Sequence, residues 1–280
     1  MNEERNTRPS SFIFFFNILL IIGTVVMAVP FLWMLLTAFK TYGESTSINP
    51  VVILPSKIRW DAFVTVLDTF NFGRLYFNTL SLIVCRIICA IVTASMAGYA
   101  LGRLKFFGKT VCFSLVLAQM MVPSQIFVIP QYLMVVKLNA LNTLFALVFP
   151  GLVTAFGTFL LRQHFMSLPA SIDESARMDG ANPLQVFIFI MFPMINSGLV
   201  ALGIFTALFA YKELMWPLIV NTADYGMPLS SALAKLQGQS ITYFPELMAA
   251  ATLSTVPMII IYIIFQKRFI QGIATTGLKL

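Results

Sequence analysis

The chain has 280 residues, of which 59% are hydrophobic and only 10% carry a charge, and its mean hydropathy is +0.87. A typical soluble domain has roughly a quarter charged residues. So few polar groups cannot cover the surface of a water-soluble domain, and the composition therefore places the chain in a bilayer.

The excess of basic residues gives a formal net charge of +7. These residues are scattered singly between apolar runs, which is typical of membrane-flanking anchors and argues against a nucleic-acid-binding patch. The single histidine, His164, excludes most histidine-based metal and triad chemistry carried by this chain alone. The cysteines lie in apolar runs and match neither a CxxC motif nor a zinc site. They are Cys85, Cys89 and Cys112.

Six apolar stretches are each long enough to cross a bilayer, which takes about 20 residues of helix. They cover residues 12–39, 75–102, 110–136, 138–161, 183–211 and 243–266. The first exceeds the roughly 7–15-residue core of a signal peptide, so we expect it to remain as a helix. Several prolines lie inside these stretches, where we expect kinks and not helix ends because neighbouring helices satisfy the freed carbonyls. They are Pro123, Pro130, Pro150, Pro193 and Pro257.

The charges that flank the stretches predict the orientation of the chain. Ten basic residues fall on the side that holds both termini, against seven on the opposite side. This bias predicts that both termini are cytoplasmic. Residues 40–74 and 212–242 are then extracellular, the first of them an ordered segment, and loops of such length tend to be functional.

Only one charge, Arg86, lies deep inside an apolar stretch, and Glu246 is the only acid that we place near a span. A charge within the membrane is a functional candidate by default. The alternative is that Arg86 reaches the interface or bonds carbonyl groups of a neighbouring helix, and we favour this second interpretation.

Residues 102–110 imitate a phosphate-binding loop, with Gly102, Gly108, Lys109 and Thr110 in order. Five residues separate the two glycines where the motif requires four, and no strand pattern precedes them. We interpret the segment as a basic turn between two spans. Any ATP that drives this protein must therefore be hydrolysed by another polypeptide.

Residues 171–180 form a short charged island between apolar runs. Ser171 and Glu174 have the spacing of a capping box, and Gly180 is a typical helix stop. Asn182 and Pro183 then predict the start of the next helix. A helix of about two turns is marginal alone in water. It is either a capped loop on the membrane surface or an element that docks on another protein.

The spacing of this island resembles the cytoplasmic signature of ABC importer permeases, which is Glu-Ala-Ala, three residues, Gly, nine residues and Ile-x-Leu-Pro. Here Glu174-Ser175-Ala176 is followed by three residues, Gly180, nine residues and the sequence IMFP at 190–193. Ser175 and Phe192 are mild departures. The segments 31–40, 77–109 and 272–280 are also similar to the maltose-type carbohydrate permeases, so the resemblance covers nearly the full length.

The resemblance implies an all-α integral membrane protein with six transmembrane helices, the type I ABC importer transmembrane domain, and a cytoplasmic coupling helix at about 171–180. Residues 1–73 would hold the N-terminal tail, the first span and the extracellular segment. Residues 74–266 would form the permease domain, and 267–280 the cytoplasmic C-terminal tail. The location implied is a bacterial or archaeal cell membrane.

In that family the coupling helix fits a groove on a cytosolic ATPase, so we expect small residues to allow close approach and polar residues to make contacts. Glu174 is expected to be turned inward by its cap. The residues assigned to this interface are Asp173, Glu174, Ser175, Ala176, Arg177, Asp179, Gly180 and Ala181. The resemblance also implies that the outer loop reaches the cleft of a solute-binding protein, and we place its tip at Asp224, Tyr225, Gly226, Met227 and Pro228.

The implied function is half of the translocation pathway for a carbohydrate, without enzymatic chemistry. The implied partners are a second homologous permease, two ATP-binding subunits that hold ATP and Mg, a solute-binding protein, the sugar and membrane lipid. Phe205, Phe209 and Tyr211 are possible stacking partners for a sugar, although packing or lipid contact is the commoner role of such residues. A polyol phosphate is an alternative solute.

Two other classes of function fit the residues less well. A secondary transporter would show inverted repeats and buried carboxylates, and the sequence shows neither pattern. An intramembrane enzyme would need a nucleophile with a base, and a chain with one histidine and no GxSxG motif offers poor material.

Overall fold

The computed structural model describes residues 10–237 and 242–277. In this part of the chain the regular structure is helical, and the only extended pairing is one isolated bridge between Ile48 and Val51. The described residues divide into two compact units. One contains residues 10–70, 235–237 and 242–257, and the other contains 71–234 and 258–277. The all-α prediction is confirmed.

The first unit contains a long helix, α1 (Ser10–Ala38), and two short helices, α2 (Tyr42–Thr46) and α3 (Asp61–Thr69). The side chains of Thr41 and Glu44 form a capping box at the start of α2. The rings of Phe39, Trp60 and Phe63 pack together with centroids 5.0 to 5.5 Å apart. The segment after the first span is therefore ordered, as predicted. The last helix, α15 (Phe244–Gly277), begins in this unit.

The second unit is built around α4 (Phe72–Arg103), a helix of 32 residues. Its other helices are α5 (Lys109–Met121), α6 (Val128–Lys137), α7 (Leu144–Val148), α8 (Ala155–Ser167), α9 (Ala170–Met178), α10 (Pro183–Gln185), α11 (Phe192–Met194), α12 (Asn196–Lys212), α13 (Met215–Val220) and α14 (Leu229–Ala234). Two 3₁₀ turns, Ser124–Phe127 and Phe149–Gly151, and one π-helix, Val186–Met191, connect some of them.

Three helices, α1, α4 and α15, are long and apolar enough to cross a membrane unbroken. Three further spans are bent pairs: α5 with α6 at 100°, α7 with α8 at 51°, and α10–α11 with α12 at 75°. The six predicted spans are all present if each bent pair counts as one. Half of them are thus interrupted by a break, where continuous helices with proline kinks were predicted.

The prediction that prolines only kink these helices is wrong at two positions. Helix α5 ends at Met121, two residues before Pro123, and α7 ends at Val148, two residues before Pro150. Proline lacks the N–H of the helical ladder and disfavours helical geometry in the residue before it. In both spans the chain passes through a 3₁₀ turn before it resumes an α-helix. Pro257, by contrast, lies inside α15.

The core of the second unit lies where α4 packs against α8. A Cβ at Gly98 would lie 2.9 Å from the backbone nitrogen of Arg162, so only glycine allows the two helices to approach this closely. Buried side chains of α4, α8, α9, α12 and the π-helix surround this contact. They include Ala94, Tyr99, Leu161, Phe165, Ala176, Val186, Met191 and Leu202.

The segment that imitates a phosphate-binding loop is the turn between α4 and α5. Gly108 has a φ of +79° and precedes the first residue of α5. The Lys109 ammonium donates to the carbonyl oxygens of Gly102 and Leu104, at 3.2 and 2.9 Å. The lysine therefore closes the turn on itself, and no strand precedes the turn in the described residues, as the interpretation of a helix–helix turn requires.

Candidate functional site

The charged island forms α9, but its start differs from the prediction. The helix begins at Ala170, with Pro169 as the N-cap, so Ser171 is already inside the helix and makes no cap hydrogen bond. The predicted capping box between Ser171 and Glu174 is therefore wrong. Alanine is the strongest helix former, and it extends the helix one residue ahead of the serine. Glu174, which was expected to be turned inward, is exposed.

The end of α9 agrees with the sequence. Gly180 has a φ of +83°, the left-handed conformation that favours glycine, and its amide donates to the Arg177 carbonyl at 3.0 Å. Asn182 then caps the next helix through the amide of Gln185, and Pro183 occupies the first helical position. The chain therefore turns sharply and continues into the π-helix Val186–Met191.

Helix α9 has an inward and an outward face. Asp173 and Ala176 are buried, three residues apart on one face, and Ala181 is half-buried. The outward residues are Glu174, Ser175, Arg177, Asp179 and Gly180. Five of the eight residues predicted for a docking surface are thus available to a partner. The side chain of Ala176 lies instead in the core of this chain.

Arg103, the last residue of α4, holds this inward face. Its guanidinium lies 3.2 Å from a carboxylate oxygen of Asp173. It also donates to the Phe165 carbonyl at 2.8 Å and to the Leu168 carbonyl at the end of α8. One side chain therefore joins three helices. Asp173 was predicted to contact a partner protein. In the structure its carboxylate contacts Arg103 of the same chain.

A cavity of about 810 Å³ lies beside α4 in the same unit. Arg86 is at its edge, and its Nη2 lies 2.6 Å from a carboxylate oxygen of Glu213. The Arg86 Nε donates to the Leu147 carbonyl at 3.1 Å. The lining is rich in amides and aromatic rings, with Gln119, Gln125, Gln131, Phe127, Phe156, Phe209 and Trp216 among its residues.

The favoured interpretation of Arg86, bonding to a carbonyl of a neighbouring helix, is confirmed by the Leu147 contact. The ion pair with Glu213 was missed, and Glu246 is therefore not the only acid near a span. Glu213 follows α12 directly, in the sequence Lys212-Glu213 at the end of a predicted span. Two features of the sequence could have predicted this ion pair: Glu213 lies at the end of a predicted span, and Arg86 lies inside the membrane, where an arginine needs a partner.

The three aromatic residues proposed for a substrate path separate in the structure. Phe209 lines the cavity, and the Lys212 ammonium lies 5.0 Å from the centroid of its ring. Phe205 packs edge-on against Phe156 at 5.5 Å. Tyr211 packs against a buried cluster around Leu82 and is not among the residues that line the cavity.

The predicted loop tip at 224–228 is anchored to its own unit. The Asn78 amide of α4 donates to the carbonyl oxygens of Tyr225 and Met227, at 3.0 and 2.9 Å. Met227 and Pro228 are buried, and only Asp224 and Tyr225 are exposed. Asn221 donates to the Gly226 carbonyl at 2.8 Å. The exposed tip is therefore two residues long, because side chains on both flanks hold the remainder.

The fold agrees with comparisons to known proteins. The family model described as "Binding-protein-dependent transport system inner membrane component" matches residues 10–275. The chain belongs to this family. It is a type I permease of the carbohydrate group of ABC importers and a multi-pass membrane protein, and an importer of this kind also contains a partner permease, an ATPase and a solute-binding protein.

Several relatives of this permease carry a solute in their names. The arabinooligosaccharides transport system permease protein AraQ of Halalkalibacterium halodurans is 29% identical, over 89% of this chain and 90% of its own length. The diacetylchitobiose uptake system permease protein NgcG of Streptomyces coelicolor is 29% identical, over 92% and 86%. The sn-glycerol-3-phosphate transport system permease protein UgpE of Pectobacterium atrosepticum is 24% identical, over 92% and 95%.

A solved structure confirms the fold of the permease. A chain of a bacterial ABC transporter involved in the import of the acidic polysaccharide alginate matches with a TM-score of 0.77 and 24% identity. The match covers 95% of this permease and 99% of that chain.

Proposed function

We propose that this permease forms half of the translocation pathway for a carbohydrate and performs no chemistry of its own. ATP and Mg would be bound by two separate ATPase subunits, and an extracellular solute-binding protein would deliver the sugar. A second, homologous permease would supply the other half of the pathway. The names of the arabinooligosaccharide and diacetylchitobiose relatives support a sugar as the solute.

The observation that carries this proposal is the chemistry of the cavity lining. Its three glutamine amides, Gln119, Gln125 and Gln131, each offer both donors and acceptors, as the hydroxyl groups of a sugar require. Phe209 and Trp216 supply aromatic surface beside them. The volume of about 810 Å³ is within the range of about 300–1,000 Å³ for sites of small molecules.

Substitution of one cavity amide tests this role. Gln131→Leu keeps the size of the side chain but removes its hydrogen bonds, so the KM for uptake should rise about two- to ten-fold. The measurement is uptake of labelled oligosaccharides of arabinose and of N-acetylglucosamine by cells that carry the whole transporter. Gln163→Leu is the matched control because Gln163 is exposed on α8, outside the cavity. Equal uptake kinetics in both variants would contradict the proposal.

A polyol phosphate is the second candidate solute. The cavity lining contains two cations, Arg86 and Lys212, against one carboxylate, Glu213, and this excess suits a phosphate group. The glycerol-phosphate relative supports the same reading. Competition decides between the two, because excess glycerol phosphate would suppress uptake of the labelled solute only if it is a substrate.

The outward face of α9 is the surface proposed to dock on the ATPase, with both termini of the chain in the cytoplasm. Single cysteines at Ser47 and Glu174, in a background without the native cysteines, test this orientation with an impermeant thiol reagent. Position 47 should react on intact cells, and position 174 should react only after permeabilisation. Reaction at position 174 on intact cells would reverse the proposed orientation.

The turn at Gly180 tests the docking itself. No atom lies within 4 Å of a Cβ built there, so the strain in Gly180→Val comes from the backbone conformation alone. Gly180→Asn is the control, since asparagine tolerates this conformation far better than a β-branched residue does. We expect the valine variant to lose ATPase during co-purification and the asparagine variant to retain it. Equal retention would mean that α9 is only a surface helix.

A further inference from the structure

Asp173 occupies an unusual position between α9 and α4. One carboxylate oxygen, Oδ2, faces Arg103 at 3.2 Å, and the side chain is only 12% exposed. The other oxygen, Oδ1, is buried and has no hydrogen-bond partner among the described residues. A buried acceptor without a donor is costly, because it has given up its water and gained no replacement. Half of this carboxylate is therefore unsatisfied in the observed state.

A matching donor lies on the same helix as Arg103. Tyr99 is one helical turn before it, on the same face of α4. Its hydroxyl group is also buried; Arg177 is placed to donate to the oxygen, and the proton has no acceptor among the described residues. Tyr99 interacts electrostatically with Asp173, Arg103 and Arg177, so its hydroxyl lies in the same polar cluster. An unused O–H donor and an unused carboxylate acceptor are thus both present under α9.

The surroundings hold the donor in place. The Tyr99 ring packs against Phe165 at 5.5 Å and Phe187 at 5.2 Å between ring centroids. Arg103 remains tied to the carbonyl oxygens of Phe165 and Leu168 even when its contact with Asp173 is left aside. Helices α4 and α8 are therefore joined by contacts that do not involve α9, and the Asp173 contact can change while those contacts remain.

We propose that Asp173 is a two-position latch for α9. In the state seen here Arg103 holds its carboxylate, and in a second state of α9 the Tyr99 hydroxyl donates a hydrogen bond to Oδ1. No proton is transferred and no bond is broken other than hydrogen bonds. A displacement of α9 by the ATPase would thereby change which residue of α4 binds Asp173. This inference rests on the proposed docking role of α9.

The hydroxyl group can be removed without disturbing the observed packing. Tyr99→Phe keeps the ring and deletes a hydroxyl whose proton has no acceptor in this state, so the stability of the resting complex should change little. Tyr132→Phe is the matched control, because Tyr132 is a half-buried tyrosine in a different cluster. Both variants should be purified as the whole transporter, reconstituted in lipid, and assayed with its solute-binding protein.

We expect Tyr99→Phe to keep its ATPase subunits, its thermal midpoint and its basal hydrolysis. Hydrolysis stimulated by the binding protein, and uptake with it, should fall at least about five-fold, the lower end of typical coupling between sites. Asp173→Asn should show the same loss, and Asp173→Glu should recover part of it. Asp68→Asn removes the same charge from an exposed carboxylate on α3, outside the proposed docking face, and should behave as the wild type.

Full stimulation of the Tyr99→Phe transporter would overturn the latch alone. A loss of stimulation in proportion to a lowered thermal midpoint would also overturn it, since the hydroxyl would then act only in folding. If the Asp173 variants do not assemble, the Tyr99→Phe variant still tests the latch. A wild-type complex that contains no ATPase, or shows no stimulation, would overturn the proposed function and the latch together.

Discussion

The middle and the end of α4 use the same chemistry in different surroundings. Near its middle, Arg86 bonds the Leu147 carbonyl of one bent span and pairs with Glu213. At its end, Arg103 bonds the Phe165 carbonyl of the same bent span and pairs with Asp173. Each arginine thus combines a backbone carbonyl with one carboxylate. A guanidinium suits this task because its planar array of donors serves several acceptors at once.

The pairs differ in the exposure of the carboxylate. The Glu213 side chain is 28% exposed in a large cavity, whereas that of Asp173 is 12% exposed under a packed helix. An acid that faces a cavity is accessible to water or to a solute, and an acid sealed between helices responds only to movement of those helices. The same kind of ion pair therefore forms part of a cavity wall in one place and a contact between packed helices in the other.

The largest effect is expected from the glycine that allows α4 to approach α8 between the two pairs. In Gly98→Val the added Cβ would lie 2.9 Å from Arg162 N and 3.2 Å from Leu161 C, which are backbone atoms of α8. We expect a loss of at least about 1–3 kcal/mol of stability and the disruption of both pairs. The thermal midpoint in detergent measures it. Gly23→Val is the control, since no atom lies within 4 Å of a Cβ there. Equal midpoints would mean that the pairs do not depend on this contact.

A double-mutant cycle on the cavity pair should show the next largest effect. Arg86→Met leaves the Leu147 carbonyl and the Glu213 charge without their partner, at a cost of about 1–3 kcal/mol. Adding Glu213→Gln removes that unpaired charge, so the double variant should be more stable than the sum of the single changes predicts. Additive free energies of unfolding would show that the two side chains are independent.

A carboxylate held mainly by hydrogen bonds from uncharged donors extends the comparison to pH. Glu44 accepts hydrogen bonds from Ser56 and from Thr41, which lower its pKa from 4.5 to about 2. Because the folded pKa lies below the ordinary value, the stabilisation is complete above pH 4.5 and is lost as the pH falls toward 2. Hydrogen exchange of residues 41–56 should therefore accelerate between pH 5 and pH 3 relative to Glu44→Gln. Parallel exchange rates in the two proteins would contradict this role of Glu44.

The smallest effect is expected from an ion pair without burial. Arg59 and Asp61 lie 2.6 Å apart, with side chains 53% and 70% exposed. Exposed pairs of this kind contribute little because water and salt screen them. Arg59→Gln should change the stability by no more than about 0.5 kcal/mol. A loss as large as that of Arg86→Met would show that burial is not what separates the pairs.

Much of the fold followed from features that are local in the sequence. Composition and run length predicted the helical membrane class, Gly180 predicted the end of α9, and Asn182 with Pro183 predicted the next start. These features depend on neighbouring residues and on backbone conformation, which the sequence displays directly. The positions of the helix breaks at Pro123 and Pro150 were missed, because proline is compatible with both a kink and an end and the surrounding helices decide.

The tertiary contacts of the candidate sites were the least predictable part. Arg86 and Glu213 are far apart in sequence, and only the folded chain brings them together. For Asp173 a signal did exist, since Ile172 and Ala176 are four residues apart and mark an apolar face of α9 toward the core. We had assigned that face to a partner protein. The exposed tip of the loop at 224–228 was predicted too long. Its anchor, Asn78, belongs to a helix that is distant in the sequence.

The break between α5 and α6 also limits the surroundings that this part of the chain tolerates. Helix α5 has 13 residues, about 20 Å of rise, which is less than the roughly 30 Å of a hydrocarbon core. If α5 and α6 cross the membrane as one span, the backbone between Met121 and Val128 lies within it, where lipid offers its polar groups no hydrogen bonds. They need water or a neighbouring protein. This segment is therefore poorly suited to contact lipid, and we expect water or another protein chain to cover it in the assembled transporter.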